Sequence, residues 1–91
     1  MKSVRTALDE LVGSLGIQKK LKEYDAVRFW EDIVGDHIAK ATTPMRIVQG
    51  VLVVKVKTSA WRNELTLQKK ALIERLNAAI GERVVKDIRF Q

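Results

Sequence analysis

The apolar residues of this chain change their period twice, and the changes mark out its elements. Val4, Leu8, Leu11, Val12 and Leu15 recur three and four apart with Asp9 and Glu10 on the other side, which predicts a helix capped by Ser3, weakened by Gly13 and ended near Gly16. A second helical stretch begins at Ile17 and carries Leu21, Val27, Trp30, Ile33, Val34, Ile38 and Ala41, with a break expected near Asp25 and a bend at Gly35. Thr42, Thr43 and Pro44 close it, because a proline biases the residue before it away from helix. From there the apolar residues alternate. Residues 45–49 read as a short strand, and residues 51–58 set Leu52, Val54 and Val56 against Val53, Lys55 and Lys57, so Gln49-Gly50 is expected to turn a half-buried hairpin. Helical spacing returns over residues 60–80, where Trp61, Leu65, Leu72, Leu76, Ala79 and Ile80 share one stripe, Ser59 is the expected N-cap and Gly81 the C-terminal stop. A last strand over residues 84–90 points Ile88 and Phe90 one way, Asp87 and Arg89 the other.

The order is thus helix, helix, strand, strand, helix, strand, an α+β arrangement (ααββαβ) with one face of a three-stranded sheet covered by helices. The helix between the second and third strands is long enough for a crossover, so those strands are expected to be parallel neighbours. A length of 91 residues with 46% hydrophobic content fits one domain, residues 1–91, burying roughly 60–70% of its unfolded surface. No cysteine is present, so neither a disulfide nor a cysteine zinc site holds the fold. Arg5, Asp9 and Glu10 interrupt the N-terminal apolar residues, and no run reaches the roughly 18 apolar residues of a membrane span, so the expected location is the cytoplasm, with no membrane partner.

Charge sharpens the picture. Residues 1–45 hold seven basic and seven acidic residues, whereas residues 46–91 hold ten and four, so the net +6 lies wholly in the second half. Such a field concentrates polyanions and speeds their encounter, although a lysine-rich surface serving solubility has the same composition. If Leu52, Val54, Val56, Ile88 and Phe90 face the helices, the opposite sheet face gathers Arg46, Lys55, Lys57 and Arg89 around Val48, Val53 and Asp87. Like charges so close cost stability unless an anion neutralises them. Arg62, Thr66, Lys69 and Lys70 form a second basic side on the long helix. No aromatic residue falls on the sheet face, so contact with phosphates, without base stacking, is the expected mode.

Catalysis has little to draw on. Glu31, Asp32, Asp36 and His37 are the one acid and histidine cluster; Gly35 divides it, and no second histidine completes a metal-ligand set. Neither catalytic residue, metal, cofactor nor small-molecule substrate is expected. Gly13-Ser14-Leu15-Gly16, followed by Lys19, Lys20 and Lys22, matches the GxxG loop with which KH domains clamp a nucleic-acid backbone, but it precedes every strand, unlike either usual KH order, and plain helix punctuation is the preferred reading. Trp30 and Trp61 lie on apolar stripes and are expected in the core, with Trp61, at a helix start, open to partial exposure as a partner anchor.

Read in order, Trp30-Glu-Asp-Ile-Val-Gly35, Gly50-Val-Leu-Val-Val-Lys-Val56 and Ala60-Trp61-Arg-Asn-Glu64-Leu65 resemble the motifs of the bacterial DciA family, and with Thr43-Pro44 and Ile88-Arg-Phe90 the resemblance spans nearly the whole chain. It implies a KH-like α+β domain that binds DNA and assists loading of the DnaB-type replicative helicase; taken with the confined charge, it leads to the expectation of single-stranded or tailed-duplex DNA as the partner. Trp61, Glu64 and Leu65 are the family-motif positions it offers to a protein partner. Many members carry a flexible basic extension, which this chain is expected to lack. A protein-interaction module and an RNA-binding KH-like protein are the competing readings.

Overall fold

A strand with hydrophobic residues at every second position and flanked by two other strands must be the middle of a sheet with one face buried, and residues 51–56 fill that role. In the computed structural model, which describes residues 3–91 apart from the side chains of Asp9, Val12, Ser14 and Leu15, the order is α1 (Val4–Val34), α2 (Asp36–Ala41), β1 (Thr42–Val48), β2 (Val51–Val56), α3 (Ser59–Leu67), α4 (Lys69–Ile80) and β3 (Asp87–Phe90). The sheet order is β1-β2-β3, with β1 antiparallel and β3 parallel to β2, as the crossover length predicts. Gln49 and Gly50 turn the hairpin with φ of 51° and 82°, the pair of positive values that a type I′ turn needs.

The helices pack on one face. Leu52, Val54, Val56 and Ile88 from the sheet, Ala26 and Trp30 from α1, Leu65 from α3 and Leu72 and Leu76 from α4 are buried together, with Val85 from the segment before β3. Trp30 does more than fill volume. Its indole Nε1 donates to Thr42 Oγ1 at 2.9 Å, and that hydroxyl donates to Ile38 O at 2.7 Å, so the end of α1, α2 and the first residue of β1 are joined by one buried chain of hydrogen bonds. The ring also meets Phe90 of β3 at 6.4 Å between centroids. Arg75 of α4 closes the same corner by donating to Ile33 O at 2.6 Å, near the C-terminus of α1.

Several boundaries differ from the sequence reading. Gly16 does not end a helix and no break occurs near Asp25: α1 runs unbroken for 31 residues, and the bend comes at Gly35, whose φ is 83°. Neither Gly13 nor Gly16 has a neighbour where a side chain would sit, so each only lowers helix propensity, by about 1 kcal/mol relative to alanine, without forcing a stop. The long helix expected over residues 60–80 is interrupted at Gln68, where Thr66 Oγ1 donates back to Arg62 O at 2.7 Å, a bond that bends helices. Thr58, not Ser59, is the N-cap of α3, accepting from Trp61 N at 3.1 Å. β1 begins three residues early, at Thr42, and β3 three residues late, at Asp87. Gly81 stops α4 in the left-handed conformation, as expected.

The long helix gives the molecule its shape. Its extents are 59 × 20 × 19 Å, and α1, about 46 Å long at 1.5 Å per residue, supplies most of the long axis. The helix leaves the core near Lys22; Val4, Leu8 and Leu11 stay exposed, and the stripe positions Val12 and Leu15 lie outside the described side chains.

Two stability outcomes follow from this packing. Thr42→Val leaves the buried Trp30 N–H without an acceptor and is expected to cost about 1–3 kcal/mol in a denaturant titration. Gly13→Ala with Gly16→Ala should increase the ellipticity of α1 at 222 nm, whereas a loop at this position would give no gain.

Candidate nucleic-acid interface

The period-two alternation that buries Leu52, Val54 and Val56 necessarily turns Val51, Val53 and Lys55 to the other face of β2, and the pairing register decides what stands beside them. Arg46 of β1 lies opposite Val53, and Val53 lies opposite Arg89 of β3, so one row across the open face reads Arg46, Val53, Arg89. At about 4.8 Å between strands the two arginine backbones stand roughly 10 Å apart. Both arginines are exposed while Val53 between them is only 6% exposed, as expected where arginine stems lie along an apolar side chain. Lys55 is exposed opposite Thr43, one row further along, and Lys57 continues the alternation past the strand end, its N–H donating to Ala41 O at 2.9 Å.

Arg46 reaches this face through an irregularity. Pro44 pairs with Val54 and Arg46 with the adjacent Val53, so Met45 is an extra residue that shifts the register. Strict alternation from the buried Thr42 would have turned Arg46 toward the helices. The bulge re-aims it outward and sends Ile47 in. Among the described residues none of Arg46, Lys55, Lys57 and Arg89 has an ion-pair partner, so four cations share this face with Asp87 as its acidic residue.

The basic side expected on the long helix is rearranged by the break at Gln68. Arg62 is half buried on α3, with Nη1 donating to Val56 O at 3.3 Å, so its guanidinium helps to hold α3 on β2. Lys69 bridges to Asp87 at 3.3 Å. Lys70 stands exposed in the first turn of α4. The three therefore do not form one exposed row. Of the residues matched to the family motifs, Trp61 is half buried against the core and Glu64 is exposed, held by Gln68 Nε2 at 2.8 Å; Leu65 is fully buried, so its side chain is closed to a partner. The GxxG match lies inside α1 and forms no loop. Where this fold joins two helices ahead of its last strand, at Gln68, there is no glycine.

Two basic residues escaped the sequence reading: Arg83 and Lys86, in the segment between α4 and β3. Its last three residues, Val84, Val85 and Lys86, were expected to be strand. Instead Asn77 Oδ1 accepts from Val84 N at 3.0 Å and from Val85 N at 2.8 Å, and Asn77 Nδ2 donates to Val85 O at 2.9 Å, so one side-chain amide takes the place of a strand partner. Val85 is buried beneath, and Lys86 N donates to Gly50 O at 2.8 Å. The stem of Lys86 lies so close on Gly50 that a Cβ there would come within 2.9 Å of it. The visible signal was an asparagine facing inward on an otherwise apolar helix stripe, the kind of residue that caps backbone groups.

His37, Glu31, Asp32 and Asp36 are all exposed, and no group of three or more acidic, histidine or cysteine residues capable of holding a metal ion occurs among the described residues. No helix of the described residues is long and apolar enough to cross a membrane.

Comparison with known proteins places this arrangement. The chain is 30% identical over 81 residues to a UPF0232 protein of Mycolicibacterium smegmatis, covering 89% of this chain and 42% of that protein. It is 30% identical over 75 residues to a UPF0232 protein of Rhodococcus jostii, covering 82% and 40%. A further relative, 29% identical over 81 residues and covering 89% of this chain and 42% of its own length, is named a UPF0232 protein in the recF-gyrB intergenic region of Mycolicibacterium smegmatis. The chain thus spans less than half the length of these relatives. The family described as "Dna[CI] antecedent, DciA" matches residues 3–90, and with the mixed sheet and its helical cover in agreement, this chain belongs to the DciA family.

Proposed function

We propose that this domain is a non-enzymatic, cytoplasmic DNA-binding accessory of bacterial DNA replication that holds phosphates on the open face of its sheet and works with a DnaB-type replicative helicase. The observation that carries the reading is the row Arg46, Val53, Arg89 with Lys55 beside it, cations brought together by register and lacking ion-pair partners among the described residues. Phosphate oxygens neutralise such a row and release counterions, so binding is driven without base recognition. Membership of the DciA family supports the replication setting, as does the name of the relative lying between recF and gyrB. The helicase contact belongs to α3, where half-buried Trp61 and exposed Glu64 stand next to each other in space, with buried Leu65 holding the helix in place.

The test is fluorescence anisotropy of labelled single-stranded and tailed-duplex DNA over a range of salt. Wild-type affinity should fall steeply with salt, and Lys55→Glu with Lys57→Glu should weaken binding roughly tenfold or more at low salt with an unchanged melting temperature, because both side chains are exposed. Unaltered affinity removes the sheet from the site. An RNA strand of the same sequence measured alongside tests the RNA reading, since the 2′-OH is what separates the two. Glu64→Lys should reduce retention of the helicase in a binding assay and leave DNA affinity equal or slightly higher.

A further inference from the structure

A second set of cations is held in place on the other side of β3, and neither the family match nor the sheet face accounts for it. Three shallow clefts run from the sheet edge around α4 to α1 and share their walls. The first, about 470 Å³, lies between Thr66, Lys69 and Arg89; the second, about 710 Å³, lies between Lys69, Lys70, Arg83 and Lys86; the third, about 580 Å³, lies between Arg83, Lys86, Lys19 and Lys22. Thr66 and Lys69 belong to the first two, Arg83 and Lys86 to the last two, so the three clefts adjoin in a row, a basic track around α4. Two of the carboxylates along it are already engaged, Glu82 by Lys22 at 2.8 Å and Asp87 by Lys69 at 3.3 Å. Glu23 and Glu74 also line the track. Among the described residues Lys19, Lys70, Arg83, Lys86 and Arg89 have no ion-pair partner, so the track keeps a surplus of positive charge.

We infer that this track is a second phosphate-backbone site, so that one nucleic-acid strand lying on the open sheet face continues past Arg89 and Lys69 to Arg83, Lys86 and Lys19. The inference rests on the nucleic-acid reading of the sheet and extends it. A line of separated cations along adjoining shallow clefts matches a line of phosphates. An acidic protein would instead be expected to find an apolar centre with a charged rim. The segment bearing Arg83 and Lys86 is ordered before any ligand arrives, through Asn77, Val85 and the packing of Lys86 on Gly50, which lowers the entropy lost on binding. Lys19 and Lys22 follow the GxxG match; they contribute through the groove that α1 forms with this segment, with no part played by the glycines.

The experiment compares dT oligonucleotides of roughly 5 and roughly 20 nucleotides on the wild type, on Arg83→Gln with Lys86→Gln, and on Lys55→Glu with Lys57→Glu. For the long strand, the Arg83→Gln, Lys86→Gln variant should lower the slope of log affinity against log salt by about 1.4, two contacts at about 0.7 each for a single strand. The advantage of the long strand over the short one should shrink at the same time. Asn77→Ala should reproduce part of that loss while both cations remain. If Arg83→Gln with Lys86→Gln leaves slope and length dependence as in the wild type while the sheet variant loses affinity, the track is overturned and the sheet site stands. Failure of the wild type to bind either strand overturns the nucleic-acid reading itself. Loss of a protein partner, with DNA binding intact, would assign the groove to protein and also overturn the inference.

Discussion

The strict alternation of β2 is the constraint on which both the fold and its open, basic face depend. Leu52, Val54 and Val56 have to face α1, α3 and α4, and a slip of one residue would bury Val53 and Lys55 in their place. Burial of a leucine or valine contributes about 1.5–3 kcal/mol, and burying an unpaired lysine is costlier still, so the register admits one answer. The exposed charges are consequently the reverse side of the core. Trp30 then fixes where the sheet sits on its helices, because its bond to Thr42 ties α1 to the strand that lies against β2.

Aim is added locally. The extra residue at Met45 turns Arg46 outward to face Arg89 across Val53, and the amide of Asn77 replaces a missing strand partner so that the segment carrying Arg83 and Lys86 is rigid without being sheet. Asp87 shows the complementary device. Its carboxylate accepts from Ile88 N at 2.9 Å and from Lys69, which occupies a backbone donor on the outer edge of the short β3. An edge with a donor engaged in this way is a poorer site for adding a foreign strand.

How far these features could be read from the sequence depended on whether they arise from period or from a single side chain. The alternation of residues 51–58 and the apolar stripes around Trp30 and Leu72 revealed the α+β class, the parallel crossover and the open face with Arg46, Lys55 and Arg89, because each rests on several residues agreeing. Helix ends were less legible. Gly13 and Gly16 lower helix propensity without opposing the helix by any contact, so α1 passes through both; Gln68 has good propensity, yet its backbone leaves the helical values at φ −94°, ψ 1°, just after Thr66 returns its hydroxyl to Arg62 O. Thr58 and Ser59 are equally able to cap, and only the extended backbone at Thr58 separates them. Of the candidate site, the sheet cations were readable, whereas Arg62 and Lys69 turned out to be engaged within the fold, Lys86 lay in a stretch read as strand and Arg83 just before it.

The chemistry of the exposed cations also limits what they can recognise. Lys22 and Lys69 are paired across elements, interactions worth about 0–1 kcal/mol each at such exposure, and serve mainly to fasten α1 and α4 to the segment around β3. Arg46, Lys55, Lys57, Lys70, Arg83, Lys86 and Arg89 have no ion-pair partner among the described residues, so their charge stays open to exchangeable counterions. Base reading would need aromatic platforms beside them, and the open sheet face has none: Trp30 is in the core, Trp61 packs on it from α3, Phe29 and Tyr24 lie on α1, and Phe90, half buried against Trp30, only lines the cleft beside Lys69 and Arg89. On the proposed reading, a surface with this division of labour would hold a strand by its backbone and leave its bases turned away, which suits a factor that must act on DNA of any sequence.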